Sequence, residues 1–260
     1  MKSKPKLSQV FLEDRRYIQK ILAAIDVANK DILEIGPGKG QVTQYLQKKA
    51  KFLYCVELDS KFCNFLSNKF SAYGNIKIIH ADILKFSISE LDKKIVVFGN
   101  VPYQISSLLI EYLIRYRNFI SRAYLTFQRE FVQKLLARPS TGQYVFLSCY
   151  AQYYAKLEKI FDIPPSAFVP RPQVSSSFIE LVFYKNIPDK AIDEKLLFDV
   201  IRQAFSQRRK KIVNSLKVPG DSKEFFLSLG VAPDSRAENV SLDKYISIAN
   251  KLCLYKNSKK

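Results

Sequence analysis

Four short, largely apolar runs constrain this chain more than any other feature of its sequence. Asp31–Ile35, Phe52–Val56, Ile76–Ile79 and Ile95–Phe98 are each four or five residues long. Such runs suit parallel strands that are covered on both faces. Each run stops at a polar group: Gly36-Pro-Gly-Lys-Gly40, Glu57-Leu-Asp59, His80-Ala-Asp82 and Gly99-Asn-Val-Pro-Tyr103. In open α/β sheets, ligands bind beyond the carboxyl ends of the strands. The pattern therefore predicts an α/β fold with a single ligand site assembled from four strand ends.

Taken singly, each strand end has an ordinary reading. Asn100-x-Pro-Tyr103 can be a plain turn, or a rigid corner whose amide oxygen accepts from a ring amine while the Tyr103 ring stacks on it. Adenine fits the second description. Gly36-Pro-Gly-Lys-Gly40 sits between a strand and a helical pattern over 41–49. That arrangement brings a ligand against backbone N–H groups, although the spacing is not the dinucleotide G-x-G-x-x-G. Glu57 lies 21 residues beyond Gly36, where an acid can accept both hydroxyls of a ribose. Asp82 can receive an exocyclic adenine amine. Either acid alone reads as a solvated loop carboxylate. Gly, Glu, Asp and Asn at consecutive strand ends favour a nucleoside site.

The alternation continues. Asp14 is placed to cap a helix reaching about Ala28, and a helix is expected over 106–116, a strand over 123–127, and further helices from Gln128 and over 144–154. Strands over 156–163 and 176–183 flank Pro164-Pro-Ser-Ala-Phe-Val-Pro-Arg-Pro172, a stiff loop with four prolines and Phe168 at its centre. The pattern lapses over 185–192, which predicts a linker between a first domain (1–184) and a second (185–260). Beyond it only helical periodicity is visible, over 192–205, 208–216, 222–229 and 242–254.

Charge narrows the partner. Lys and Arg number 42 against 24 Asp and Glu, a net +18, and so large an excess points to a polyanion, nucleic acid before membrane surface. Residues 185–260 hold 16 Lys or Arg against 9 Asp or Glu. The densest cluster there is Arg208, Arg209, Lys210 and Lys211, candidates for phosphate contact. Cys55, Cys63, Cys149 and Cys253 are scattered and read as reduced thiols of a cytoplasmic protein. His80 is the only histidine, which argues against zinc or a His-based triad. No run approaches the length of a membrane span, and the amino terminus lacks the apolar core of a signal peptide.

A resemblance joins these observations. Gln9-Val-Phe-Leu12, Glu34-Ile-Gly-Pro-Gly38, Glu57-Leu-Asp59, Asn100-Val-Pro-Tyr-Gln-Ile-Ser106, the Pro164–Pro172 loop, Ala204-Phe-Ser-Gln-Arg-Arg-Lys210 and Arg236-Ala-Glu238 resemble the motifs of the ribosomal RNA adenine N6-dimethyltransferases of the bacterial small-subunit type. The resemblance implies a class I (Rossmann-like) methyltransferase with a seven-stranded, mostly parallel sheet, an antiparallel final strand and a small all-helical carboxyl-terminal domain. It implies S-adenosylmethionine as cofactor, with Val10, Leu12, Gly36, Gly38, Glu57, Asp82 and Asn100 around it. Asn100 and the Val101 carbonyl would accept the N6 hydrogens, and Tyr103 and Phe168 would stack on the target base. The implied substrate is a pair of adjacent adenines in a loop near the 3′ end of small-subunit RNA, met by a monomer on an immature subunit. Val10 departs from the family, which usually has Asn or His there. Erythromycin-resistance methylases and DNA adenine methylases share much of the pattern, but Arg236-Ala-Glu238 and Asn-Val-Pro-Tyr speak for the small-subunit type. A non-catalytic assembly or transcription factor on the same fold is the rival from another class, and an intact Glu57, Asp82 and Asn100 speak against it.

Overall fold

The computed structural model describes residues 10–258, so Gln9 of the amino-terminal motif lies outside the described residues. The chain forms two compact units. One runs through Val132 and resumes over Lys156–Phe183; the other takes Gln133–Ala155 and the chain from Tyr184 onward.

The first unit opens with a two-residue strand, β1 (Phe11–Leu12), and helix α1 (Arg15–Ala24). The Asp14 carboxylate accepts from the Arg16 N–H at 2.9 Å and caps α1, which buries Ile18, Ile21 and Leu22. The helix ends four residues earlier than its apolar pattern implied. Ile25 and Val27 are both buried at a spacing of two, because the chain has already turned extended on its way to β2. There follow β2 (Asp31–Ile35), α2 (Thr43–Lys49), β3 (Phe52–Glu57), α3 (Ser60–Lys69), β4 (Ile76–His80), β5 (Ile95–Asn100), α4 (Ser106–Arg115), β6 (Ile120–Gln128) and α5 (Arg129–Leu135). Helix α3 has no counterpart among the sequence expectations. Its start was nevertheless legible, since the Asp59 side chain accepts from the Lys61 N–H at 2.8 Å as an N-cap. Strand β6 begins before its apolar stretch because Ile120 and Arg122 pair with Ile95 and Val96 of β5.

After α6 (Phe146–Tyr154) come β7 (Ala155–Ile163), β8 (Phe168–Val169) and β9 (Ser176–Phe183). The seven-stranded sheet has the order β4-β3-β2-β5-β6-β9-β7. Strands β2 to β6 pair in parallel, and β9 runs antiparallel to β6, as the resemblance implied. The strand order reverses between β2 and β5, and a ligand crevice opens at such a switch point. There Gly99 pairs with Ile35, and a Cβ on Gly99 would stand 3.2 Å from the Ile35 Cβ. The absence of a side chain at Gly99 thus lets β5 lie close against β2. Outside the sheet, β1 and β8 form an antiparallel pair, Phe11 with Val169 and Leu12 with Phe168.

The second unit contains α6, α7 (Glu194–Ser206), α8 (Ile212–Ser215), α9 (Ser222–Leu227) and α10 (Leu242–Asn257). Helix α6 groups with these helices rather than with residues 1–184. The rings of Tyr150, Tyr153 and Tyr154 surround Phe198 of α7, and the Tyr154 hydroxyl donates to Glu194 at 2.8 Å. The helix expected over 208–216 shrinks to Ile212–Ser215: Arg208–Lys210 form a turn, and Lys211 makes a bridge to Arg236. Among the described residues no helix is long and apolar enough to cross a membrane.

Candidate active site

A cavity at the carboxyl ends of β2 to β5 is lined by Val10, Leu12, Gly36, Gly38, Glu57, Asp82, Asn100 and Tyr103, together with Glu34, Val101 and several apolar side chains. The structure therefore brings together every expected cofactor residue and one of the two expected stacking rings.

The glycine turn forms one wall. Gly36 and Gly38 have φ of 65° and 56°, a region that side chains rarely enter. A Cβ on Gly38 would meet the Phe11 ring at 2.7 Å, so the turn also provides the surface on which β1 lies. Phe11 is held there by an edge contact with Phe62 and by the Lys39 ammonium 4.9 Å from its ring centre. The Gly38 N–H donates to Glu57 Oε2 at 3.1 Å and the Asp59 N–H to Oε1 at 2.9 Å. Glu57 is 5% exposed, and among the described residues no cation forms an ion pair with it. Two backbone amides thus fix a buried carboxylate whose remaining lone pairs suit hydroxyl donors. Asp82 accepts from the Leu84 N–H at 3.0 Å, which leaves its other oxygen able to take an amine.

Asn100 ends β5. Its amide nitrogen donates to the Val10 carbonyl at 2.9 Å. A carbonyl can only accept, so this bond decides which end of the amide faces β1 and directs Oδ1 the other way. The contact comes from the Val10 backbone and so does not depend on its side chain. The Val101 N–H is tied to the Thr126 carbonyl at 3.2 Å. Tyr103 begins a single 3₁₀ turn, Tyr103–Ile105, and its hydroxyl shares a hydrogen bond of 3.1 Å with Ser176.

Two expected residues are placed differently. Phe168 is 2% exposed, within the core that includes Leu12, Tyr124 and Phe178, and is absent from the cavity lining. Its apolar ring and its pairing with Leu12 hold it in that core, so stacking on a base would require it to leave. Arg208 is engaged within its own unit: Nε donates to Glu238 Oε2 at 2.6 Å and Nη2 to the Gly142 carbonyl at 2.5 Å. The Gln207–Lys211 cluster and Arg236-Ala-Glu238 are thus two halves of one brace. Arg209, Lys210 and Lys211 are exposed.

Glu34 carries a signal the sequence reading left unused. It is 3% exposed at the cavity floor. Burial pushes its pKa from 4.5 up to about 7, and the Thr43 hydroxyl and the Cys55 thiol, the latter 3.7 Å from Oε2, offset part of that rise. A glutamate flanked by Ile32, Leu33 and Ile35 within β2 was the available clue.

Positive-φ glycines, a buried acid without a cation and a second acid across the crevice form a cradle that S-adenosylmethionine fits. With this sheet order they define a class I methyltransferase. Two solved structures share the fold across nearly the whole chain: a dimethyladenosine transferase from Plasmodium falciparum (TM-score 0.77, 24% identity, 96% of this chain and 98% of that one) and the 23S rRNA methyltransferase ErmE (0.76, 22%, 94% and 99%). The family model for ribosomal RNA adenine dimethylase matches residues 1–253, and the chain belongs to that family. Relatives called ribosomal RNA small subunit methyltransferase A, from Caldanaerobacter subterraneus and Baumannia cicadellinicola, are 36% and 37% identical. They match 98% and 96% of this chain over 98% and 94% of their own lengths. The protein is an S-adenosylmethionine-dependent ribosomal RNA adenine dimethyltransferase.

Proposed function

We propose that the chain dimethylates the N6 amines of two adjacent adenines in a loop near the 3′ end of small-subunit ribosomal RNA, during maturation of that subunit in the cytoplasm. The observation that carries this reading is the amide of Asn100, held by Val10 so that Oδ1 is directed away from β1 at the edge of the cofactor cradle. Bound in that cradle, S-adenosylmethionine supplies an electrophilic methyl group on a sulfonium. Adenine N6 is a poor nucleophile because its lone pair is delocalised into the ring. Asn100 Oδ1 and the Val101 carbonyl accept its two hydrogens, which turns the lone pair towards the methyl group. The contribution of these residues is positioning and electrostatic preorganisation. Tyr103 stacks on the base, and a base held in this way must leave its helix, so a loop is an easier substrate than a duplex.

Glu57 holds the ribose hydroxyls, Asp82 takes the adenine amine of the cofactor, and Val10, Leu12, Gly36 and Gly38 close around it. Arg209, Lys210 and Lys211 contact phosphates, while Arg208 braces the turn that presents them. The likeness to ErmE leaves the RNA substrate open, because it is a likeness of fold; the near full-length relatives at 36–37% identity favour the small subunit. The test is methyl transfer from labelled cofactor to immature small subunits and to naked RNA, with mass spectrometry of the RNA. Two adjacent dimethyladenines near the 3′ end are expected; methylation elsewhere or none would overturn the reading.

A further inference from the structure

Tyr103 is held at its backbone carbonyl and at its hydroxyl. The Ser106 hydroxyl donates to the Tyr103 carbonyl at 3.0 Å, and the Tyr103 hydroxyl shares its bond with Ser176 at 3.1 Å. Ser176 is the first residue of β9, and its side chain is fully buried. The strand end around it is pinned on three consecutive residues. The Ser175 carbonyl accepts from the Arg129 N–H at 2.9 Å, Ser176 is in register with Gln128 of β6, and the Ser177 hydroxyl donates to Asp162 at 2.5 Å. The Ser176 hydroxyl therefore offers a fixed point to which the Tyr103 hydroxyl is tied.

A tyrosine side chain can turn about two bonds, and stacking tolerates only a narrow range of ring planes. We infer that Ser176 is a positioning residue for the reaction: it sets the plane of the Tyr103 ring against the target adenine and so aligns N6 with the transferred methyl group. The inference rests on the stacking role proposed for Tyr103. It assigns a chemical purpose to a serine that is absent from the cavity lining. A loose ring would still allow the cofactor to bind, but it would reduce the fraction of bound adenines in reactive alignment.

The experiment is a double-mutant cycle in the full chain with Ser176→Ala, Tyr103→Phe and both together, measuring kcat on small-subunit substrate, the KM for cofactor, and Tm. Tyr103→Phe keeps the ring and removes the same hydrogen bond from the other side, so the cycle remains informative even if Ser176→Ala folds poorly. Each single variant is expected to lower kcat about three- to tenfold, the effect of one hydrogen bond. The cofactor KM should stay unchanged, the double variant should be no slower than either single one, and Ser176→Thr should recover most of the rate. Additive losses, an unchanged kcat in both single variants, or a change confined to Tm would overturn the inference. Tyr103→Ala separates the two readings. Full activity in Tyr103→Ala removes the stacking role itself, whereas an inactive Tyr103→Ala beside a normal Ser176→Ala removes only the role of Ser176.

Discussion

Replacing Glu34 by glutamine should change how the stability of the cofactor-free protein depends on pH. Glu34 is 3% exposed, and burial raises its pKa from 4.5 to about 7. Its polar neighbours are the Thr43 hydroxyl, the Cys55 thiol, itself pushed well up by burial, and the carboxylate of Glu57, so nothing cationic compensates a charge there. A carboxyl whose folded pKa exceeds its unfolded one is easier to keep protonated in the folded state. Its favourable contribution is fully present below pH 4.5 and is lost as the pH rises to about 7. Converted at 1.36 kcal/mol per pH unit, that displacement makes ionising Glu34 cost the fold roughly 3 kcal/mol. Glu34→Gln removes the titration, and any fixed cost of burying the amide is the same at every pH. The assay is urea unfolding of wild type and variant at pH 4.5, 6 and 8. The wild type should lose roughly 3 kcal/mol relative to the variant between the lowest and highest pH, with most of the change complete by pH 7. Parallel pH profiles for the two proteins would refute the reasoning and show that the carboxyl is ionised at no cost.

Four further outcomes are expected. Asn100→Ala should cut kcat by about 100-fold or more while leaving RNA affinity nearly unchanged, because an interaction realised mainly in the transition state is lost; single-turnover methylation and RNA titration check both. Glu57→Gln should raise the cofactor KM far more than it lowers kcat, since the ribose contact is remote from the reacting carbon and serves uniform binding. Gly38→Ala should also raise the cofactor KM, because its Cβ would stand 2.7 Å from the Phe11 ring at a φ of 56° and would displace β1; cofactor calorimetry reads this directly. Arg209→Glu with Lys210→Glu should lower the salt dependence of RNA binding by about one log–log unit per lost phosphate contact at unchanged Tm, whereas Arg208→Glu should lower Tm, as it sets a carboxylate against Glu238.

The strand ends are legible in the sequence because the relevant physics is local. Apolar runs of four or five residues form strands, buried except in the edge strand β4, and the polar residue that ends each lies at the rim of the sheet. That places Gly36, Glu57, Asp82 and Asn100 around one crevice, as found. Local rules failed where a neighbour distant in sequence decided the outcome. The apolar pattern of α1 ran on through residues that are buried in extended backbone. Helix α6 grouped with the carboxyl-terminal helices because its tyrosines pack on Phe198 and bond Glu194.

What the sequence determined by itself is the α/β class, the order of ligand groups along the chain and the basic surplus, since these follow from residue type and spacing. What only the tertiary structure decided is the assignment of individual side chains that sequence leaves equivalent. Arg208 and Arg209 are adjacent and chemically identical, yet one is braced against Glu238, 30 residues away, and the other is exposed. Tyr103 and Phe168 both read as stacking rings, yet one lines the cavity and the other lies in the core against Leu12. Asn100 could present either end of its amide until the Val10 carbonyl, 90 residues earlier, accepted from its nitrogen. In each case the deciding partner is brought near by the packing of the whole sheet, and spacing along the chain carries no record of it.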